Sequence, residues 1–168
     1  LKSQAERCKK ILLTLSKNPQ NLKDDFLNET TISNIIKVNF DKFNNKNINL
    51  EINLLLNDQE PKISYKDEIL YCTGNIIQNA IQYAHSIVVT NISWDVNQFF
   101  ISIQDDGPGF KKETIDQLGK PYISKKGSGL GLGIFIAKNL IENIGGSISF
   151  KNTDNSGVNV EIVIKRDT

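Results

Sequence analysis

The chain has 168 residues, enough for one domain with a core of its own and one appended element. Its 20 basic residues against 19 acidic ones make no electrostatic case for nucleic acid as a partner. No apolar run reaches the length of a membrane span and no signal peptide opens the chain, but it starts at Leu1 and contains no methionine, so it is expected to be part of a longer protein with room for a membrane segment upstream.

Leu1, Ala5, Cys8, Leu12 and Leu15 are spaced 4, 3, 4 and 3 apart, the a/d seam of a coiled coil, with Lys2, Glu6, Lys9 and Lys10 off the seam. Residues 1–17 are therefore expected to form a helix that needs a partner. Cys8 lies on that seam, where a small, soft apolar residue fits and where two copies can meet across a dimer axis. Cys8 and Cys72 fit no metal spacing and no disulfide framework, so reducing cytosol is the default compartment. Asn18-Pro19-Gln20-Asn21 ends the helix, because proline disfavours helix at the residue before it. Residues 18–27 then read as a linker and 28–168 as the main domain.

Ile32, Ile35, Ile36, Phe40 and Phe43 make a helical stripe over 31–43, capped at Asn28, Thr30 or Thr31. Ile48, Leu50, Ile52 and Leu54 alternate as a strand does. Ser64-Tyr65-Lys66-Asp67-Glu68 is expected to open a helix running to about residue 84, with Ile69, Cys72, Ile76, Ala80 and Ala84 as its apolar stripe. Strands follow near 87–94 and 99–104, the second delivering Asp105 at its end. Residues 110–126 show no clean periodicity, and a loop of this length in a compact domain is a functional lid or a disordered segment. A helix over about 130–143 and strands around 147–151 and 158–165, joined through Asn155-Ser156-Gly157, complete the chain. Two strand pairs with short turns and irregularly placed helices predict an α+β fold: a two-layer α/β sandwich, its sheet mixed and mostly antiparallel, with three helices on one face. A doubly wound parallel sheet would need regular crossovers.

Seven of the eleven glycines lie from Gly107 to Gly133, six of them in Asp105-Asp106-Gly107-Pro108-Gly109 and, beyond a lysine-rich gap, Gly127-Ser128-Gly129-Leu130-Gly131-Leu132-Gly133. Glycines let backbone amides approach a ligand without Cβ obstruction, and a helix starting at the second cluster aims unpaired N–H groups at phosphate. The carboxylate points instead to a donor such as an adenine amine, and the combination suggests ATP. Asn75, Asn79 and Tyr83 recur every four residues along one helix face, beside the apolar stripe. Amide oxygens there are hard ligands suited to Mg²⁺, an ion commonly shared with substrate phosphates.

Asn75-x-x-x-Asn79-Ala80-x-x-Tyr83-Ala84, Asp105-x-Gly107-x-Gly109 and Gly127-x-Gly129-Leu130-Gly131-Leu132 resemble, in this order, the N, G1 and G2 boxes of the histidine-kinase ATP-binding domain. The resemblance covers roughly residues 28–166 and implies the Bergerat-type fold of the kinase, gyrase and Hsp90 superfamily. It implies that Asp105 accepts from the adenine amine with Gly107 and Gly109 close to the base, that Asn79 holds Mg²⁺ with Asn75 near the phosphates or the metal, and that Tyr83 lines the pocket. It implies also that Gly127, Gly129, Leu130, Gly131 and Leu132 surround the phosphates and that 110–126 is the ATP lid. Gly119-Lys120-Pro121-Tyr122 stands at the F-box position without its usual first phenylalanine, and Gln82 replaces a common basic residue, which passes phosphate neutralisation to Lys125 or Lys126. Leu1-Lys2-Ser3-Gln4-Ala5-Glu6-Arg7-Cys8-Lys9-Lys10-Ile11-Leu12 is similar to the second dimerisation helix of RegB/PrrB-type redox-responding sensor kinases, where a cysteine in this region is linked to redox control through an intersubunit disulfide.

The implied protein is a homodimeric, two-component sensor histidine kinase of the inner membrane, with this chain its cytoplasmic catalytic part. That part would donate the γ-phosphoryl of Mg-ATP to a histidine on its own upstream dimerisation domain, for onward signalling to a response regulator. The single histidine, His85, ends the Asn-bearing helix between Ala84 and Ser86, without the acidic neighbour and following proline of a phosphoacceptor, so the chain alone is not expected to autophosphorylate. The rivals are an anti-sigma-factor-like binding domain, a nucleotide switch, and a hydrolytic ATPase of the gyrase or Hsp90 kind. The last carries a glutamate general base where Asn75 stands.

Overall fold

The computed structural model describes residues 29–115, 132–154 and 157–166. The expected coiled-coil helix with Cys8, the linker, most of the lysine-rich gap and the second glycine cluster up to Gly131 lie outside the described residues. A short strand β1 (Glu29–Thr30) leads into helix α1 (Ile32–Phe43). Thr31 is the N-cap, its hydroxyl accepting from Asn34 N at 3.3 Å. Glu60 adds a carboxylate at the same helix end, where backbone donors are unpaired, and accepts from Ser33 N at 2.9 Å and from the Ser33 hydroxyl. The inward stripe Ile32, Ile35, Ile36, Phe40 is buried, and so is Asn39. Asn39 Nδ2 donates to Leu70 O at 3.0 Å and to Thr73 Oγ1 at 2.9 Å, tying α1 to the next helix through a satisfied polar contact.

Strand β2 (Asn49–Leu54) is followed by β3 (Ile63–Ser64), which pairs antiparallel with β1. This two-stranded sheet corrects the expected helix start. Ser64 is held extended opposite Glu29, and α2 (Asp67–Tyr83) begins three residues later, with Asp67 and Glu68 in the first turn where the helix dipole favours them. Two-residue strands leave no periodic signal, and only their partner keeps Ser64 out of the helix. Strands β4 (Ile87–Trp94) and β5 (Gln98–Asp105), a one-turn helix α3 (Lys112–Ile115), helix α4 (Leu132–Asn143) and strands β6 (Ser147–Asn152) and β7 (Val158–Lys165) follow. The short α3 lies inside the segment read as aperiodic.

The main sheet runs β2-β4-β5-β7-β6, with β2 parallel to β4 and the other pairs antiparallel. This is the expected α+β arrangement with a mixed, mostly antiparallel sheet. Val88, Ile92, Phe99, Ile101, Ile103, Ile162 and Ile164 line its inner face and are buried with Ile69, Ile76, Ile77 and Ile81 of α2 and Ile141 of α4. The inner phase of β5 runs Phe99, Ile101, Ile103 and then Asp105, so the strand's period of two carries a carboxylate onto the apolar side, at the sheet's end.

Candidate functional site

Asp105 is 7% exposed. Its Oδ1 accepts from Gly107 N at 2.9 Å. Burial raises its carboxyl above the usual aspartate range; N–H groups of Gly107 and Val158 oppose this, and the neighbouring Asp106 charge adds to it. Such a group is a buried acceptor in the recess at the end of β5, with capacity for a further donor.

Gly107 makes the recess possible. A Cβ there would lie 2.8 Å from Asp105 Oδ1 and nearer still to the carbonyl oxygen of Tyr83, so the last turn of α2 touches the loop after β5. Gly109 follows with φ +74°, a left-handed conformation that favours glycine. A Cβ on it would stand 3.0 Å from Asn152 Oδ1 and 3.3 Å from Gly157 O. Gly157 in turn presses on the Asp105 backbone carbonyl with no room for a side chain. The β6–β7 turn is thus packed against the Asp105 loop from the other side.

Two residues that the sequence reading passed over organise this region. Asn152, at the end of β6, accepts from Phe110 N at 2.8 Å and donates to Phe110 O at 2.6 Å, copying a strand partner for the residue where the chain leaves the recess. Asp106 gathers the start of the α2–β4 connection: Oδ1 accepts from His85 N at 2.8 Å, Ser86 N at 3.1 Å and Ile87 N at 3.3 Å, and Oδ2 from Ser86 N at 3.0 Å and Ser86 Oγ at 2.6 Å. Burial alone would raise the Asp106 carboxyl, but these bonds from Ser86, Ile87 and His85 bring it down to about 2. The Asp-Asp pair was a visible signal for Asp106. Nothing local marks Asn152, whose partner is 42 residues away.

On α2, Asn75 and Asn79 are half-buried and Tyr83 is 41% exposed at the helix end. Asn75 Nδ2 donates to Tyr71 O at 2.9 Å, so the carboxamide oxygen is the atom turned outward. It faces α4: a Cβ on Gly133 would stand 3.4 Å from Asn75 Oδ1. Gly133, the last glycine of the second cluster, therefore sets how near the start of α4 comes to the asparagine face. Leu132, the first residue of α4, is the one predicted phosphate-side residue that is described; Lys125, Lys126, Gly127, Gly129, Leu130 and Gly131 are not. The fold thus brings the end of α2 and Gly157 against the end of β5, and the start of α4 against Asn75 in the middle of α2. Among the described residues no three His, Cys, Asp or Glu converge.

A family model described as "Histidine kinase-, DNA gyrase B-, and HSP90-like ATPase" matches residues 64–168. The sensor histidine kinase RegB of Cereibacter sphaeroides is 27% identical over 90% of this chain and 36% of its own length. The chain thus spans about a third of that curated relative. Among solved structures, the catalytic domain of histidine kinase ThkA superposes with a TM-score of 0.71 at 23% identity, over 82% of this chain and 96% of that one. The mycobacterial sensor histidine kinase MprB does so with a TM-score of 0.71 at 16% identity, over 82% and 97%. At these identities the likeness establishes a shared fold.

Proposed function

Since this chain belongs to the histidine kinase-, DNA gyrase B-, and HSP90-like ATPase family, we propose that it is the ATP-binding catalytic domain of a two-component sensor histidine kinase. In this reading residues 28–168 are the catalytic domain, 1–17 the end of a dimerisation helix and 18–27 the linker between them. The catalytic domain serves a histidine on the dimerisation domain of the same protein, which is a homodimer that then signals to a response regulator. The parent protein is a membrane-bound sensor; among the described residues no helix is long and apolar enough to cross a membrane.

One observation carries the nucleotide assignment: a buried carboxylate on the apolar face of the central strand, walled by a glycine that admits no side chain. Asp105 accepts from the adenine amine, Gly107 and Gly109 let the base approach, and Tyr83 borders the pocket. The start of α4, with Gly127, Gly129, Leu130, Gly131 and Leu132, takes the phosphates on backbone N–H groups. Lys125 and Lys126 add positive charge. The chemistry of the donor set suits Mg²⁺: Asn75 turns a carboxamide oxygen toward α4, and Asn79 is one turn further on the same face. When bound, the ion neutralises phosphate charge; the residues here bind, orient and exclude water. Asn75 in place of a carboxylate base disfavours the hydrolytic reading.

Calorimetric titration with ADP and GDP, and with ATP in the presence and absence of Mg²⁺, tests the proposal. ADP should bind at least about tenfold tighter than GDP, because guanine offers a carbonyl where Asp105 needs a donor. Mg²⁺ should tighten ATP. Equal affinity for the two bases, or no saturation with ADP at millimolar concentration, would overturn the assignment. Labelled ATP should leave no phosphate on this chain; labelling would show an acceptor that His85 does not provide.

A further inference from the structure

Asp105 reaches the pocket from the sheet, whereas Asn75, Asn79 and Tyr83 reach it from α2, and backbone geometry alone does not keep a strand end and a helix end in register. The chain crosses from α2 into β4 through Ala84, His85 and Ser86, and the three successive N–H groups of His85, Ser86 and Ile87 all point at one carboxylate. That carboxylate is Asp106, the residue directly after Asp105.

We propose that Asp106 is a positioning residue for base recognition: by holding the His85–Ile87 backbone and the Ser86 hydroxyl, it sets the distance between the adenine-facing carboxylate of Asp105 and the asparagine face of α2. The inference rests on the nucleotide reading above. Asp106 spends both oxygens on this connection. The contact between Gly107 and the Tyr83 carbonyl lies on the other side of the same junction, so the two ends are pinned at two points. Removing one pin leaves the strand end free to turn about the other, and Asp105 would lose its bearing on the base. Asn79 and Asn75, on the phosphate half, stand about one and about two helical turns before the junction and should be spared.

The test separates the two halves of the ligand in the 168-residue chain. ADP reads base and phosphates together, and inorganic tripolyphosphate reads the phosphate half alone. Asp106→Ala should lower ADP affinity about tenfold and narrow the preference for ADP over GDP, while tripolyphosphate affinity stays within about twofold of the parent. Asp106→Asn, which keeps one acceptor oxygen for the backbone donors, should recover part of the loss, and Ser86→Ala, which removes only the hydroxyl, should cost less than either. Parallel loss of ADP and tripolyphosphate would mean a merely structural role and would overturn the proposal, as would an unchanged ADP to GDP ratio in a folded Asp106→Ala. If Asp106→Ala does not fold, the same two ratios measured on Asp106→Asn decide. A parent chain that fails to prefer ADP refutes the nucleotide reading instead.

Discussion

Gly107→Ala is the substitution whose effect follows most directly from the geometry. The added methyl would stand 2.8 Å from Asp105 Oδ1, whereas ordinary van der Waals contact begins at 3.4 Å, so something must move by 0.6 Å, the difference of the two. The Tyr83 carbonyl on the other side is nearer still and is backbone, so the helix end cannot yield cheaply. Taken up at Asp105, the shift would stretch the 2.9 Å bond from Gly107 N by up to that amount, to about 3.5 Å at the limit of a hydrogen bond. Overpacking of this kind costs about 1–3 kcal/mol of stability, and at about 2–4 °C per kcal/mol for a chain of this size the melting temperature should fall by roughly 5 °C. A misdirected buried carboxylate costs about 1–3 kcal/mol in binding, which is about a 5- to 150-fold loss of ADP affinity.

Ile164→Val is the control. Ile164 pairs with Phe99 at the opposite end of β5 and β7, six residues from Asp105 and so about 20 Å away along the strand. It should lower stability by about 0.5–1.5 kcal/mol and leave ADP binding unchanged. Urea denaturation and calorimetric ADP titration of both variants settle the matter. If Gly107→Ala bound ADP as tightly as the parent, or if Ile164→Val lost the same affinity, the close approach of α2 and β5 would not be what shapes the site.

Asp105→Asn should abolish base discrimination and reduce ADP affinity at least about tenfold, since a hydrogen bond to a charged acceptor is worth about 1.5–3 kcal/mol. The same change should stabilise the ligand-free chain at neutral pH. The folded carboxyl is raised by burial, so its stabilising contribution is full below the unfolded value of about 3.9 and is lost as pH rises through the folded one. Urea midpoints of parent and variant should therefore converge on acidification; a variant no more stable at neutral pH would contradict the buried charge. Asn152→Ala should release Phe110 and speed dissociation of a fluorescent ADP analogue several-fold, whereas Asn152→Asp, which keeps the acceptor for Phe110 N, should do so less. Stopped-flow rates that match the parent would remove Asn152 from the site. Burial pushes the Cys72 thiol up to about 12, so iodoacetamide at mildly alkaline pH should leave Cys72 unmodified until the chain is unfolded; peptide mass spectrometry reads this, and native labelling would place the thiol outside the core.

Periodicity made the long elements legible. Ile32, Ile35, Ile36 and Phe40 recur at helical spacing, and the alternation through Phe99, Ile101 and Ile103 announces both the strand and the face on which Asp105 emerges. The glycine clusters and the paired asparagines were equally visible, because the demands they answer are local: a backbone without Cβ and amides four residues apart. What stayed hidden rests on partners far along the chain. The β1–β3 pair keeps Ser64 extended only because Glu29 lies opposite. Asn152 matters because Phe110 meets it across 42 residues, and Asp106 because the loop after α2 returns to it across 20. The sequence by itself thus determined which residue types the candidate site draws on and, for Asn75, Asn79, Tyr83 and Asp105, on which element each stands. The tertiary structure decided how near those elements come, through a glycine that admits the Tyr83 carbonyl, a carboxylate that gathers three N–H groups and an amide that stands in for a strand. Distance between walls is a property of packed pairs, and no single segment encodes it.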